Sequence, residues 1–323
     1  MGVFFNKIRV VAIGVLLFCL PVFVWAQFDA QMTQYMFNVE GYNPAAIGDQ
    51  ELLRVVGMQR LQWIGLRNAP KTTDFTFSAP FKIKRTSHAV GVHFQNDMFG
   101  LFVNQRLGFT YAYKQRLGDG FLSIGTSVGF ANMTISGDSA YIPEGGEYYT
   151  GVAGDSEIPK SKESDMGFDM DLGAYYSCAN FDVGFSVLHV TQPRIMWGES
   201  SEFFLTRTYL LQGGYKFRLP NPDYSLRPSL LVKTDFVSWQ LDLSLLAEWK
   251  EKVWWGVSYR VQDAVAFLVG TRVLNGLMIG YSYDLSTSRL LRVSYGSHEL
   301  FLSYEFKLNM DRRSSRHKSV RFL

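Results

Sequence analysis

The histidines are the first place to look for chemistry, and His88, His93, His189, His298 and His317 are scattered along the chain. No Gly-rich phosphate loop, nucleophile elbow or metal-spaced histidine pair occurs. A serine hydrolase at a lipid-facing wall would need His298 with Ser297 or Ser303; an imidazole at a strand end is the simpler reading. The acids Asp169, Asp171, Asp182 and Asp242 read as a cation path or, more simply, as a polar lining paired with arginines. We therefore assign no catalytic, cofactor-binding or metal-binding residue, and expect a protein that is not an enzyme. Cys178 is the one cysteine beyond residue 26, so no internal disulfide or cysteine metal site is expected.

What could position these acids is set by composition and period. The 323 residues are 15% aromatic and only 19% charged, below the roughly 25% of ordinary globular chains. A formal net charge of +3 is too small to imply nucleic acid. Period-two alternation recurs throughout. Phe168, Met170, Leu172, Ala174 and Tyr176 alternate with Asp169, Asp171, Gly173 and Tyr175. Leu107, Phe109, Tyr111 and Tyr113 alternate with Gly108, Thr110, Ala112 and Lys114. One face is apolar and aromatic, the other small or polar, over segments long enough to cross a bilayer at about 9–11 residues each. The expectation is an all-β transmembrane antiparallel barrel of about 14 strands. The segments are 51–62, 71–82, 86–96, 103–116, 120–135, 166–177, 180–190, 203–217, 226–236, 238–249, 252–262, 264–273, 276–286 and 296–307.

Residues 1–26 read as a signal peptide, with Lys7 and Arg9 before an apolar run and cleavage after Ala26. Residues 27–50 form an N-terminal plug or docking segment, 51–307 the outer-membrane barrel, and 308–323 a basic periplasmic tail. Short connections at 83–85, 117–119, 178–179, 250–251 and 274–275 fall on the periplasmic side by parity, with 218–225 a longer exception. Longer ones at 63–70, 97–102, 136–165, 191–202 and 287–295 fall outside. The acidic loop 136–165 reads as a solvated loop or a partner-docking surface. The tail carries Arg312, Arg313, Arg316, Lys318 and Arg321, and reads as a solubilising extension or a contact for acidic headgroups, peptidoglycan or an acidic protein.

Residues 31–46 show no helix or strand period. Tyr35, Met36 and Phe37 form an apolar knot, Asn38, Tyr42 and Asn43 surround it, and Pro44 stiffens the exit toward Ala45. The order Gln34-Tyr35-Met36-Phe37-Asn38, then Tyr42-Asn43-Pro44-Ala45, resembles the start of the PorP/SprF family of Bacteroidota outer-membrane proteins. Arg60, Gln62-Trp63, Gly65, Pro70 and Thr72 agree, as do Gly280 to Asp284 and Gly296 to Glu299; the match departs at Ala46-Ile47.

The resemblance implies a non-catalytic part in type IX secretion and gliding: anchoring, or aiding export of, surface proteins that bear a type IX C-terminal domain. It implies periplasmic ring lipoproteins, a peptidoglycan-binding partner and outer-membrane lipid as neighbours, and no nucleic acid. From the residues themselves we expect Tyr35, Met36, Phe37 and Tyr42 to pack in the periplasmic mouth. The alternative is a fatty-acid-type small-molecule transporter with an N-terminal hatch, which would need an apolar lumen.

Overall fold

In the computed structural model, residues 29–49, 52–136, 161–197, 201–274 and 276–306 are described. The leader, most of the acidic loop and the basic tail lie outside the described residues.

The alternating segments form one closed antiparallel sheet. In chain order the strands are β1 (Leu53–Leu61), β2 (Lys71–Ile83), β3 (Thr86–Phe99), β4 (Phe102–Leu117), β5 (Gly120–Ser136), β6 (Lys162–Ser177), β7 (Phe181–Leu188), β8 (Arg194–Trp197), β9 (Ser201–Phe204), β10 (Thr208–Tyr215), β11 (Phe217–Arg218), β12 (Tyr224–Thr234), β13 (Trp239–Trp249), β14 (Val253–Arg260), β15 (Ala264–Leu274), β16 (Leu277–Ser286) and β17 (Ser297–Phe306). Each barrel strand pairs with its neighbours, β1 closes on β17, and β7 pairs with β10 past the separate β8–β9 hairpin. Counting β10 and its continuation β11 as one strand, the barrel has 14.

Alternation fixes which side chain sees lipid. Phe109, Tyr111, Tyr113, Val128 and Phe130 point outward and are exposed, whereas Asp169, Asp171, Arg106 and Ser127 point inward and are buried. A one-residue slip would exchange the two sets, so a charged lumen beside a lipid-facing wall specifies the register.

The two ends differ. One carries the tight turns at 84–85, 118–119, 178–180 and 250–252, and is called the turn end. The other, the loop end, carries 62–70, 189–197, 201–207 and 287–296, and the ends of β5 and β6 at Ser136 and Lys162. Two expectations change here. The connection placed at 97–102 shrinks to Gly100 and Leu101, because β3 and β4 stay paired out to Phe99 and Phe102. The strand placed at 203–217 starts at Thr208, because 201–204 pair instead with 194–197. That hairpin forms because Ile195, Trp197 and Leu205 find an apolar seat on Ala131, Met133 and Ile135 of β5, which at 17 residues far outruns a bilayer-spanning strand. The Trp197 indole N–H donates to the Met133 carbonyl at 3.1 Å.

Residues 29–49 lie inside the barrel as three single-turn 3-10 segments, Tyr35–Phe37, Val39–Gly41 and Pro44–Ala46. Asn43 caps the last, its Oδ1 accepting from the Ala45 N–H at 3.0 Å, with Pro44 at the first position, where a missing N–H costs nothing.

Candidate functional site

The segment runs the length of the lumen, and its contacts can be followed from the loop end downward. Asp29 meets His189, just beyond the loop end of β7, at 3.1 Å. The Lys233 ammonium donates to the Ala30 carbonyl at 2.9 Å. Near the other end, the Arg54 guanidinium donates to the Phe37 carbonyl at 2.5 Å, and the Asp49 carboxylate accepts from Ser177 at 2.5 Å. The expectation of packing confined to the mouth is therefore corrected. Tyr35 and Tyr42 stand mid-lumen, against Ser229 and Gln212, and only Met36 and Phe37 reach toward the turn end. The reason is chain length: 21 residues, even coiled, cover the depth of a barrel.

Near the loop end, two ionic nodes grip the segment. In the first, Arg60 bridges Asp284 (2.7 Å) and Glu299 (3.1 Å), and Arg260 bridges Asp242 (2.9 Å) and Asp263 (3.2 Å). Thr33 enters between them. Its hydroxyl donates to Asp284 at 2.6 Å and its N–H to Glu299 at 2.7 Å, while the Gln34 N–H donates to Glu299 at 2.8 Å. Backbone N–H groups that a sheet or helix would normally occupy are thus satisfied by a wall carboxylate. The ions carry a large desolvation cost, which pairing offsets; removing one partner of such a set costs about 3–5 kcal/mol.

In the second node the Arg106 guanidinium sits 3.0 Å from both Asp169 and Asp171, and His189 Nδ1 lies 2.9 Å from Asp169. Burial and Arg106 push against charge on the imidazole, but Asp29 and Asp169 outweigh them and hold its pKa up at about 9. Burial likewise opposes ionisation of Asp29, yet His189 and Arg106 hold its carboxyl well below the usual range. His189 also carries a left-handed backbone, φ 54°, fixed by its N–H donating to Asp171 at 3.0 Å. Asp169, Asp171 and His189 are a donor set of the kind that ligates metals. The guanidinium of Arg106 already supplies the cation these carboxylates face, so the set serves as an ion cluster.

Below the nodes the two sides of the lumen diverge. Tyr35, Met36 and Phe37 pack against Val56, Met58, Leu231, Leu246, Trp254, Leu268, Met278 and Phe301, with the Phe37 ring 5.0 Å from Trp254 and 5.2 Å from Phe301. Burial holds the Tyr35 hydroxyl pKa up at about 12. Opposite, Asn43, Pro44 and Ala45 lie on bare backbone. A Cβ at Gly125 would collide with the Pro44 carbonyl, and one at Gly184 would come within 2.6 Å of Asn43 Nδ2. Asn38 donates to Asp74 at 2.8 Å, which also holds His93 at 2.7 Å. Glu40, its pKa raised by burial against the pull of Arg54, accepts from Ser78 at 3.0 Å and from the Gly48 N–H at 3.2 Å.

The expected motif divides into two places. Gln34, Tyr35, Met36, Phe37, Asn38, Tyr42, Asn43, Pro44 and Ala45 come together in the lumen. Gln62, Trp63, Gly65 and Pro70 lie instead on the loop-end lip. There the Gln62 N–H donates to the Pro70 carbonyl at 2.9 Å, and the 62–70 loop bonds to 287–296 through Ile64 and Gly296 at 2.8 Å. Arg312, Arg313, Arg316, Lys318 and Arg321 fall outside the described residues. The acids Asp169, Asp171, Asp182 and Asp242 do pair with arginines: Arg106, Arg106, Arg227 and Arg260. Reasoning from the sequence missed Glu40, Glu299 and His189 as anchors. The signal was parity, since Glu299 has the inward parity of the buried Phe301.

Solved structures with this architecture are outer-membrane barrels. The chain is similar to the CymD monoaromatic hydrocarbon channel at 13% identity, covering 88% of this chain and 95% of that one, with a TM-score of 0.53. It also resembles the Ralstonia pickettii toluene transporter TbuX at 12% identity, covering 90% and 100%, with a TM-score of 0.48. At such an identity the likeness to CymD shows the barrel fold alone. No curated protein matches the chain. The model of the type IX secretion system membrane protein PorP/SprF matches residues 24–304, a span holding both the lumen motif and the lip motif. With its barrel and both motifs inside that span, the chain belongs to the PorP/SprF family and is an outer-membrane component of the type IX secretion system.

Proposed function

We propose that this barrel works by non-catalytic protein binding, anchoring or aiding export of a surface protein that bears a type IX C-terminal domain, with periplasmic ring lipoproteins and a peptidoglycan-binding protein as neighbours. The observation that carries the reading is the filled lumen. The segment is bonded to inward side chains of β1, β2, β10, β12, β16 and β17, and the apolar belt a small-molecule path would use is occupied by Tyr35, Met36 and Phe37. In this reading residues 29–49 seal the bore, and the two ends are left for partners. The test is affinity capture of the tagged full-length protein from outer membranes in mild detergent, together with a deletion strain. Type IX components and a surface protein carrying that C-terminal domain are expected to co-purify, and the strain is expected to retain that protein in the periplasm. A strain that exports it normally, yet loses uptake of small apolar solutes, overturns the reading in favour of transport.

A further inference from the structure

The strands that outrun the bilayer carry a pattern on their outer face. Gln105 on β4 and Asn132 on β5 have the outward parity of Leu107 and Phe130, and they pair directly across the two strands. Counted from the tight turn at 118–119, both come after the roughly 9–11 residues that cross a bilayer. They belong to a hydrogen-bonded ladder. The Gln105 amide donates to Asn96 Oδ1 on β3 at 3.0 Å, and the Asn132 amide to Gln105 Oε1 at 3.4 Å. The Ser164 hydroxyl on β6 donates to Asn132 Oδ1 at 2.8 Å, and the Thr134 hydroxyl to Ser164 at 3.0 Å. At the next outward position toward the turn end the same face turns apolar. There Phe75, Phe94, Leu107, Phe130 and Phe168 pair strand by strand in one unbroken row.

A cation stands at each flank of the ladder. Lys71, at the loop end of β2, and Lys162, at the loop end of β6, both have outward parity and are exposed. Lys71 pairs with Met98 and is therefore diagonal to Asn96. Lys162 takes the next outward position beyond Ser164. The acids of this region, Asp97, Glu163 and Asp165, have the opposite parity and belong to the inner face. Among the described residues, no outward position in the loop-end half of β2–β6 is acidic. The inner face of the same extension is taken by the β8–β9 hairpin, seated on Met133 and Ile135, which leaves the outer face for a ligand.

The ladder leaves donors over. A carboxamide carries two N–H donors. Gln105 and Asn132 spend one each within the ladder, and Asn96 spends neither among the described residues. The carboxamide oxygens of all three already accept. Spare donors and two cations, next to an aromatic row, suit an oxygen-rich anion that carries acyl chains. From β3 to β6 the ladder crosses three strand spacings, about 14 Å, the breadth of two sugar rings rather than of one glycerol phosphate. We propose that the outer wall of β2–β6 binds a phosphorylated glycolipid of the outer leaflet. Its sugar oxygens accept from the amide ladder, its phosphates pair with Lys71 and Lys162, and its acyl chains lie over the phenylalanine row. This assignment stands independently of the cargo-anchoring reading.

The experiment is native mass spectrometry of the full-length protein in detergent, titrated with three probes: lipid A, lipid A stripped of phosphate, and phosphatidylglycerol. Lipid A is expected to bind at least about tenfold more tightly than phosphatidylglycerol, since several hydrogen bonds distinguish the two head groups. Removing its phosphates is expected to weaken it several-fold, and Lys71→Gln with Lys162→Gln is expected to erase that difference. Gln105→Leu with Asn132→Leu extends the apolar row across the ladder. That pair is expected to cost lipid A about tenfold and to leave phosphatidylglycerol unchanged. Lys252→Gln, a charge removed at the turn end, is the control expected to change nothing. Equal affinity of the wild-type protein for lipid A and phosphatidylglycerol overturns the proposal, and this comparison needs no variant. So does a ladder variant that binds lipid A as wild type does. A photo-crosslinker at residue 132 is expected to capture glycolipid in cells; one that captures a protein and no glycolipid gives this face to a lateral protein partner and overturns the proposal as well.

Discussion

The two walls that flank the N-terminal segment solve the same packing problem in opposite ways. The wall of β1 and β12–β17 supplies bulky side chains, Met58, Leu246, Trp254 and Phe301 among them, and the segment answers with Tyr35, Met36 and Phe37. The wall of β5–β7 supplies Gly125, Gly173 and Gly184, and there the segment answers with the Asn43-Pro44 backbone and small Ala45. One contact is an interdigitation of side chains and the other a laying of backbone upon backbone. The first is sensitive to what is removed, the second to what is added.

The largest effect expected is from Phe37→Ala. It empties the centre of the aromatic contact, and the opening free energy of residues 29–49, read by hydrogen exchange, is expected to fall by about 3–5 kcal/mol. If Ala45→Gly on the opposite wall costs as much, the contrast between the walls is wrong. Next comes Gly125→Val, expected to cost about 1–3 kcal/mol by overpacking and to unseat residues 43–47 while the barrel stays closed. Planar-bilayer recordings are then expected to show a higher conductance than wild type; a variant as tight as wild type means the glycine wall does not seat the segment.

The smallest effect sharpens the loop-end grip. The His189 pKa stands at about 9 in the folded protein and near 6.5 in an unfolded chain. Its bridge to Asp29 therefore contributes fully below about pH 6.5 and is lost as pH rises through about 9. A spin label at residue 31 is expected to gain mobility across that alkaline window, and His189→Gln is expected to abolish the pH response. A label whose mobility is flat from pH 6 to 10 removes His189 from the grip.

Much of this was legible from period alone. Because Asp169 and Asp171 share the parity of Gly173 while Phe168 and Met170 share that of Leu172, the inward face could be read before any pairing was known. The aromatic knot Tyr35-Met36-Phe37 stood out because no strand or helix period could accommodate it. What period cannot give is which inward groups meet. Arg60 is separated from Asp284 by 224 residues and from Glu299 by 239, and only closure of β1 on β17 makes them neighbours. The β8–β9 hairpin was hidden for a similar reason: its four-residue strands are defined by the Met133 and Ile135 seat rather than by their own pattern.

The direction of the inner segment has a consequence for assembly. Asp29 is at the rim with the long connections, Asp49 is at the rim with the tight ones, and Leu53 sets out from that second rim to begin the wall. The polypeptide's head is thus enclosed by a tube that its own later residues build. A tube finished by joining first stave to last must have that head already within it when the joint is made, or must draw it in afterwards through the bore. Either way, the order in which staves are laid and the head is housed is written into the topology.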